Sequence, residues 1–365
     1  MNLDRLAASL LIVGFDGTEP PKETLDLIDR GVGGAILFKR NIEAPREVAG
    51  LCARLKLHAG RPFLLSVDQE GGRVARLREG FSPIPPMRRL GEIDEVELAE
   101  ATGRLLGEEC RAVGFDLDFA PVVDVDSNPA NPVIGDRSLS ADPGRCGRLG
   151  AALIRGLQGA GVAACAKHFP GHGDTLQDSH RTLPRLTHDL ERLRRVELPP
   201  FRAAAQAGVA SIMTAHVVFE ALDPGLPATL SAAALGLARE ELGFEGALIS
   251  DDLEMAAVIE GWPIDVAASL SVMAGCDLLL VCHHADRQAQ AIDGIRREAE
   301  RSPAARERLI VAAGRADGLR RRWAHAPATF EEARLRPAWG LDLLRRIGDH
   351  EGDLHDPTAP RSSLD

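Results

Sequence analysis

A chain of 365 residues, 45% of them hydrophobic and 27% charged, has enough apolar material for one large core or two modest ones. Its formal net charge of −11 excludes the usual nucleic-acid binder, which needs clustered Lys and Arg, and no basic stripe appears. The cysteines at 52, 110, 146, 165, 276 and 282 form no CxxC pair, which fits a reducing compartment better than a disulfide framework.

The N-terminus, MNLDRLAASLLIVGFDGTEP, holds a short apolar run followed at once by Asp16 and Glu19. It lacks the charged start, long apolar centre and small-residue cleavage site of a signal peptide. No segment approaches the length of a membrane-spanning helix. A soluble cytoplasmic protein is expected, with no membrane or nucleic-acid partner.

Short apolar runs then recur: LLIVGF (10–15), GAILF (34–38), FLLSV (63–67), LDFAPVVDV (117–125), GVAACAKHF (161–169), VASIMTAHV (209–217), GALISDD (246–252) and CDLLLVC (276–282). Runs this short and this rich in Val, Ile, Leu and Ala read as strands buried on both faces. Amphipathic stretches separate them. EVELAEATGRLLGEECRAVG precedes the fourth run and predicts a helix closed at Gly114, and RCGRLGAALIRGLQGAG before the fifth has the same form. DLERLRRVELPPFRAAAQAG and LSAAALGLAREELG precede the sixth and seventh. Eight strands alternating with helices predict an α/β protein of (β/α)8 barrel type. The rival doubly wound sheet would carry a glycine-rich phosphate turn after its first strand, and GFDGTEPP does not match that turn. One domain is expected over 1–340, then a disordered tail over 341–365 with few large apolar residues.

In a parallel barrel the chemistry sits at the C-terminal ends of the strands. Polar groups gather there. The third run opens into VDQEGGRV with Asp68, Glu70 and Arg73, and the loop after the fourth carries Asp136 and Arg137 in NPVIGDRSLS. The fifth ends in Lys167 and His168, the sixth at His216, and the seventh in Ser250, Asp251 and Asp252. Singly, each has a plainer structural role: an Asp after a strand caps a helix, Arg73 forms a surface ion pair, and His216 is a hydrogen-bonded core histidine. Their shared placement on one rim points to function, because packing does not require it.

The loop KHFPGHGDTLQDSH, 167–180, packs three histidines and two aspartates among Pro170, Gly171 and Gly173. Three readings compete for it. His168, His172 and Asp174, with Asp178 and His180 nearby, suggest a metal site, although Pro170 and Gly171 interrupt the helix that such spacing favours. In the second, the histidines only tie the loop down, as is expected of His172. In the third, Asp178 and His180, two apart and on one side of an extended segment, form an acid–base pair with the carboxylate orienting the imidazole. Asp251 then offers itself as a carboxylate nucleophile, which suggests glycoside chemistry, with Asp252 as a helix cap. A tyrosine nucleophile is excluded because the chain has no tyrosine.

VDQEGGRV, GDRSLS, KHFPGHGDTLQDSH and SDDLEM, in that order, resemble family 3 glycoside hydrolases. More closely they resemble the bacterial single-domain β-N-acetylhexosaminidases of peptidoglycan recycling, over about residues 5 to 330. The resemblance implies that Asp251 forms a covalent glycosyl intermediate, that His180 is general acid and then base, and that Asp178 orients it. It implies Asp68, Arg73, Arg137, Lys167 and His168 as ligands of the terminal sugar, with His216 a further candidate, and neither a cofactor nor a resident metal. GDRSLS has Leu139 where the family often shows phenylalanine, a change in the packing under Arg137.

The expected substrate is a small carbohydrate: a muropeptide fragment of GlcNAc-anhydroMurNAc type or another GlcNAc-terminated saccharide. Phosphorolysis in place of hydrolysis, and β-glucosidase or β-xylosidase activity, are alternatives on the same scaffold. A metal-dependent hydrolase using His168 and His172 and a non-catalytic sugar-binding module are the alternatives of other classes.

Overall fold

The computed structural model describes residues 2–177, 179, 182–327 and 329–348. The eight expected runs become β1 Leu11–Val13, β2 Gly34–Leu37, β3 Leu64–Val67, β4 Leu117–Asp118, β5 Ala163–Phe169, β6 Ser211–Thr214, β7 Ala247–Asp252 and β8 Leu278–Val281. They close into a parallel barrel in the order β1-β8-β7-β6-β5-β4-β3-β2. The seam between first and last strand pairs Leu11 with Leu279, Ile12 with Leu280 and Val13 with Val281. Between barrel interior and outer helices no strand has a wet face, so the runs are continuously apolar rather than alternating.

The outer layer is α1 Lys22–Arg30, α2 Pro45–Ala59, α3 Val96–Ala112, α4 Pro143–Gly159, α5 Leu198–Gln206, α6 Ala232–Glu240, α7 Ile264–Ala274 and α8 Ala285–Arg301. In α3, Leu98, Leu105 and Leu106 are buried while Glu97, Glu100 and Arg104 face water. Gly114 follows its cap with φ of +100°, a conformation that side chains resist, which is why the helix stops there. Asp142 and Ser231 cap α4 and α6 by accepting from Arg145 N and Ala234 N.

Three expectations need correction. The fourth strand is paired regularly only at Leu117 and Asp118 and not to residue 125, because Pro121 has no N–H to give the ladder. Backbone contact continues irregularly beyond it, with Val123 N donating to the Lys167 carbonyl at 2.9 Å. The helix before β6 is not uniform either: Leu193–Glu197 is a wider π turn ahead of α5, next to Pro199 and Pro200, whose missing donors break the α-helical ladder. Finally, helix continues after β8 through α9 Pro303–Trp323, and α10 Ala338–Ile347 crosses the expected domain end at 340. Leu343 and Ile347 are buried and Arg89 Nε donates to the Ile347 carbonyl at 2.8 Å, so residues 341–348 belong to the folded body. The rest of the expected tail lies outside the described residues.

Two buried aspartates tie the bottom of the barrel. Asp116, just before β4, accepts from Lys56 Nζ at 2.8 Å, Leu65 N at 3.0 Å and His325 N at 3.0 Å. Asp277, just before β8, accepts from Arg239, Arg308 and Leu248 N. Charges at that end serve stability, and the opposite rim is left to chemistry.

Candidate active site

β3 runs directly into Asp68 and Glu70, and β5 carries Lys167 and His168 to the same mouth. Lys167 Nζ lies 2.8 Å from Asp68 Oδ1 and 2.6 Å from Glu70 Oε1. Arg137, delivered by the loop after β4, forks onto Glu70 through two bonds of 2.8 Å. Burial works against a charged Glu70, but Arg137 and Lys167 outweigh it and hold the carboxyl well below the usual range. Burial likewise opposes the Lys167 ammonium, and Asp68 and Glu70 more than offset it, so the amine stays protonated far into the alkaline range. Arg73 pairs with Asp136 at 3.0 Å and donates to the carbonyls of Val133 and Ile134, both at 3.1 Å. Arg137 also donates to the Val133 carbonyl, at 3.2 Å, so both guanidiniums grip one turn.

Asp68, Glu70, Arg137 and Lys167 therefore come together as one ionic network spanning β3, the β4 loop and β5, and Arg73 adjoins it through the shared Val133 carbonyl. Asp68 is the more open of the two carboxylates that Lys167 meets, with a side chain 15% exposed against 1% for Glu70. Such a surface suits vicinal hydroxyls, which donate and accept at once: a carboxylate takes the proton of one and an ammonium donates to the other.

His168, next to Lys167 in β5, is held by Asp124, whose Oδ2 meets His168 Nδ1 at 2.7 Å and accepts from His168 N at 3.1 Å. The other oxygen of Asp124 accepts from His172 N at 2.7 Å. His172 is buried, its Nδ1 2.9 Å from Thr175 Oγ1 and its Nε2 3.0 Å from Ser179 Oγ. Burial, helped by nearby His168, lowers its pKa to about 4, so it is a neutral fastening of the loop, as expected of it. Asp174 points elsewhere, pairing with His188 and Arg192. His168, His172 and Asp174 thus do not converge, and among the described residues no group of three or more His, Cys, Asp or Glu could hold a metal. Asp178 and His180 lie outside the described residues. Ser179 between them is buried, and its carbonyl accepts from Ala257 N, which follows β7, at 3.3 Å.

Gly173 shows how closely the loop is seated. A Cβ there would meet the Val125 carbonyl oxygen at 1.7 Å, and that oxygen is backbone and cannot swing aside. Gly173→Ala is expected to displace the loop start and lower kcat by about 100-fold, as misplacement by an ångström does. Assay beside circular dichroism checks this: an unchanged kcat would mean that the loop position is immaterial to turnover.

β7 closes with the half-buried pair Asp251 and Asp252, and Asp251 is the candidate nucleophile. Its Oδ1 accepts from the next backbone N–H, that of Asp252, at 2.8 Å. Asp252 closes the following turn, its Oδ1 accepting from Glu254 N at 3.1 Å, but it is not the helix cap expected of it: the short helix Ala256–Ile259 starts after Met255 with no side-chain cap. His216, at the end of β6, is buried and bridges strands: Nδ1 lies 2.8 Å from Thr229 Oγ1 and Nε2 2.9 Å from the Asp252 carbonyl. It braces the segment that presents Asp251.

A family model, the glycosyl hydrolase family 3 N terminal domain, matches residues 3–315. The chain belongs to glycosyl hydrolase family 3. A β-hexosaminidase of Thiobacillus denitrificans is 41% identical over 344 residues, 91% of this chain and 92% of that protein. Among solved structures, a family 3 β-N-acetylglucosaminidase from Paenibacillus sp. strain FPU-7 is 42% identical, with a TM-score of 0.90 over 95% of this chain and 68% of its own. NagZ from Neisseria gonorrhoeae is 33% identical, with a TM-score of 0.70 over 84% of this chain and 97% of its own. The chain is a family 3 glycoside hydrolase, and the motif resemblance to that family and its β-N-acetylhexosaminidases holds.

Neither Asp118 nor Asp124 was evident as a site residue from the sequence. Asp118 Oδ1 accepts from Gln69 N at 2.9 Å, and burial raises its carboxyl well above the usual range. The two lie in the run 117–125, where a lone carboxylate among Leu, Phe and Val reads as strand. The available signal was that an unpartnered carboxylate is rarely buried.

Proposed function

We propose that this family 3 enzyme is a retaining exo-β-N-acetylglucosaminidase that removes terminal GlcNAc from peptidoglycan fragments of the GlcNAc-anhydroMurNAc type. The observation that carries the reading is the Lys167–Asp68–Glu70–Arg137 network, a built clamp for sugar hydroxyls on the same rim as Asp251. The names of the relatives support the N-acetylhexosaminide class. In this reading Asp68, Arg73, Arg137, Lys167 and His168 hold the non-reducing sugar, and Asp251 attacks its anomeric carbon. The bond to the leaving oxygen breaks as that oxygen takes the proton of His180. His180 then removes a proton from water, the water oxygen bonds to the anomeric carbon, and Asp251 departs as carboxylate. Configuration is retained through two inversions. Asp178 keeps the imidazole in the tautomer that this exchange needs. A cytoplasmic site of action agrees with six buried, unpaired cysteines.

The test is release of nitrophenol from p-nitrophenyl N-acetyl-β-D-glucosaminide, with the β-glucoside and the muropeptide disaccharide in parallel, each with and without phosphate. Turnover of the two N-acetyl substrates alone, indifferent to phosphate, is the expected result. Preference for the glucoside overturns the substrate class, and a requirement for phosphate overturns hydrolysis. His180→Ala is expected to slow glycosylation strongly for poor leaving groups, by about 100- to 10,000-fold, and much less for nitrophenolates, which need little protonation. Equal losses across a leaving-group series would remove His180 from the acid role.

A further inference from the structure

Two adjacent carboxylates end β7, and a nucleophile works only when ionised, so the charge of Asp252 bears directly on Asp251. His283, just after β8, places Nε2 3.1 Å from Asp252 Oδ2. The other oxygen of Asp252 accepts from Cys282 N at 3.2 Å and from Glu254 N at 3.1 Å, while its own N–H donates to Asp251 Oδ1 at 2.8 Å. Asp252 is thus fixed between the imidazole and the nucleophile. His283 is itself held: its ring stacks on Phe38 at 5.9 Å with an interplanar angle of 23°. Phe38 lies under Arg40, 4.5 Å from its ring centre, and Arg40 is pinned by the carbonyls of Phe15 and Cys282 and by Asp16.

Resting on the reading of Asp251 as nucleophile, we propose that His283 is a positioning residue that neutralises Asp252 and thereby keeps Asp251 ionised at the working pH. The groups around it favour the charged imidazole. Its hydrogen bond to Asp252 raises its pKa against the opposing effect of burial, with Glu254 adding to the rise and Arg40 resisting it. His284, its neighbour in the chain, is engaged by Glu254 Oε1 at 2.6 Å and is not available to replace it. Phe38 contributes no charge. The sign follows. Across the acid limb of the rate profile His283 is protonated and offsets Asp252; without it, an uncompensated negative charge beside Asp251 favours the protonated nucleophile.

The experiment compares pH profiles of kcat/KM, with p-nitrophenyl N-acetyl-β-D-glucosaminide, for the parent, His283→Asn, His283→Arg and the double variant His283→Asn/Asp252→Asn. Asparagine keeps a donor but no charge, and arginine keeps the charge. The acid limb of His283→Asn is expected to move to higher pH by about half a unit to one unit, a loss of about three- to tenfold at fixed pH on the limb. His283→Arg and the double variant are expected to return it to the parent position. An acid limb unmoved in His283→Asn, whatever happens to the plateau or to Tm, overturns the proposal, as does an equal shift in the asparagine and arginine variants. A parent without turnover, or an Asp251→Asn variant that retains it, instead overturns the nucleophile assignment beneath.

Discussion

Asp251→Asn is expected to lower kcat/KM for p-nitrophenyl N-acetyl-β-D-glucosaminide by about 10,000-fold or more while leaving thermal stability close to that of the parent. The loss is of the order seen when a nucleophile is removed from a covalent mechanism. An amide does not displace a glycosidic oxygen, so the first bond-making step has no substitute. Stability is spared because Asn offers the same side-chain oxygen to Asp252 N, now 2.8 Å from Asp251 Oδ1, and because the side chain is only half-buried. Two measurements check the claim. Initial rates with a Tm give the loss without unfolding, and proton NMR of the first-formed sugar gives the stereochemistry. A β product in the parent agrees with double displacement. An α product would require single displacement and reassign Asp251 as a base.

The second large effect is expected at Glu70, which is not itself assigned to contact the sugar. Glu70→Gln removes the negative charge on which Arg137 and Lys167 both converge and leaves two buried cations without their shared partner. Breaking a buried pair in this way costs about 3–5 kcal/mol, because the stranded charges keep their desolvation penalty. Urea denaturation near neutral pH reads the deficit, and KM is expected to rise because the clamp loses its anchor. The dependence on pH carries its own signature. The folded-state pKa of Glu70 lies well below its unfolded value of about 4.3, so the stabilisation is complete above that pH. It is lost as the pH falls toward the folded value. The gap between parent and variant should therefore be full at neutral pH and narrow on acidification below about pH 4. A gap independent of pH would mean that Glu70 acts by packing and not by charge.

Most of the fold was legible because each strand is a short apolar run between helices of clear period. The runs at 34–38 and 63–67 differ from β2 and β3 by one residue at one end. The fourth run failed for a reason visible in the chain, since Pro121 cannot serve a ladder. The end of the domain failed because 341–348 was judged by its charges, although Leu343 and Ile347 sit four apart on one face of α10. In the site, Asp68, Arg73, Arg137 and Lys167 were readable as polar groups at strand ends, and the structure links Asp68, Arg137 and Lys167 into one network with Glu70, which Arg73 adjoins. Asp124 was not, because a carboxylate inside an apolar run looks like part of the strand until its two imidazole-bearing partners are seen around it. The proposed acid–base pair, Asp178 and His180, rests on its sequence motif.

The strand order has a consequence for biosynthesis. Asp68, Arg73, Arg137, Lys167 and His168 all leave the ribosome before Asp251 is made, and β8, which pairs with β1, follows later still. The nascent chain therefore owns the parts of a carbohydrate clamp before it owns the group assigned to act on the bound sugar. Its first strand, already paired with β2 on one side, also keeps its other edge open until residue 281 emerges. An open edge during synthesis invites wrong partners. At only three residues, β1 offers them a short template, and the ring closes when its own partner arrives.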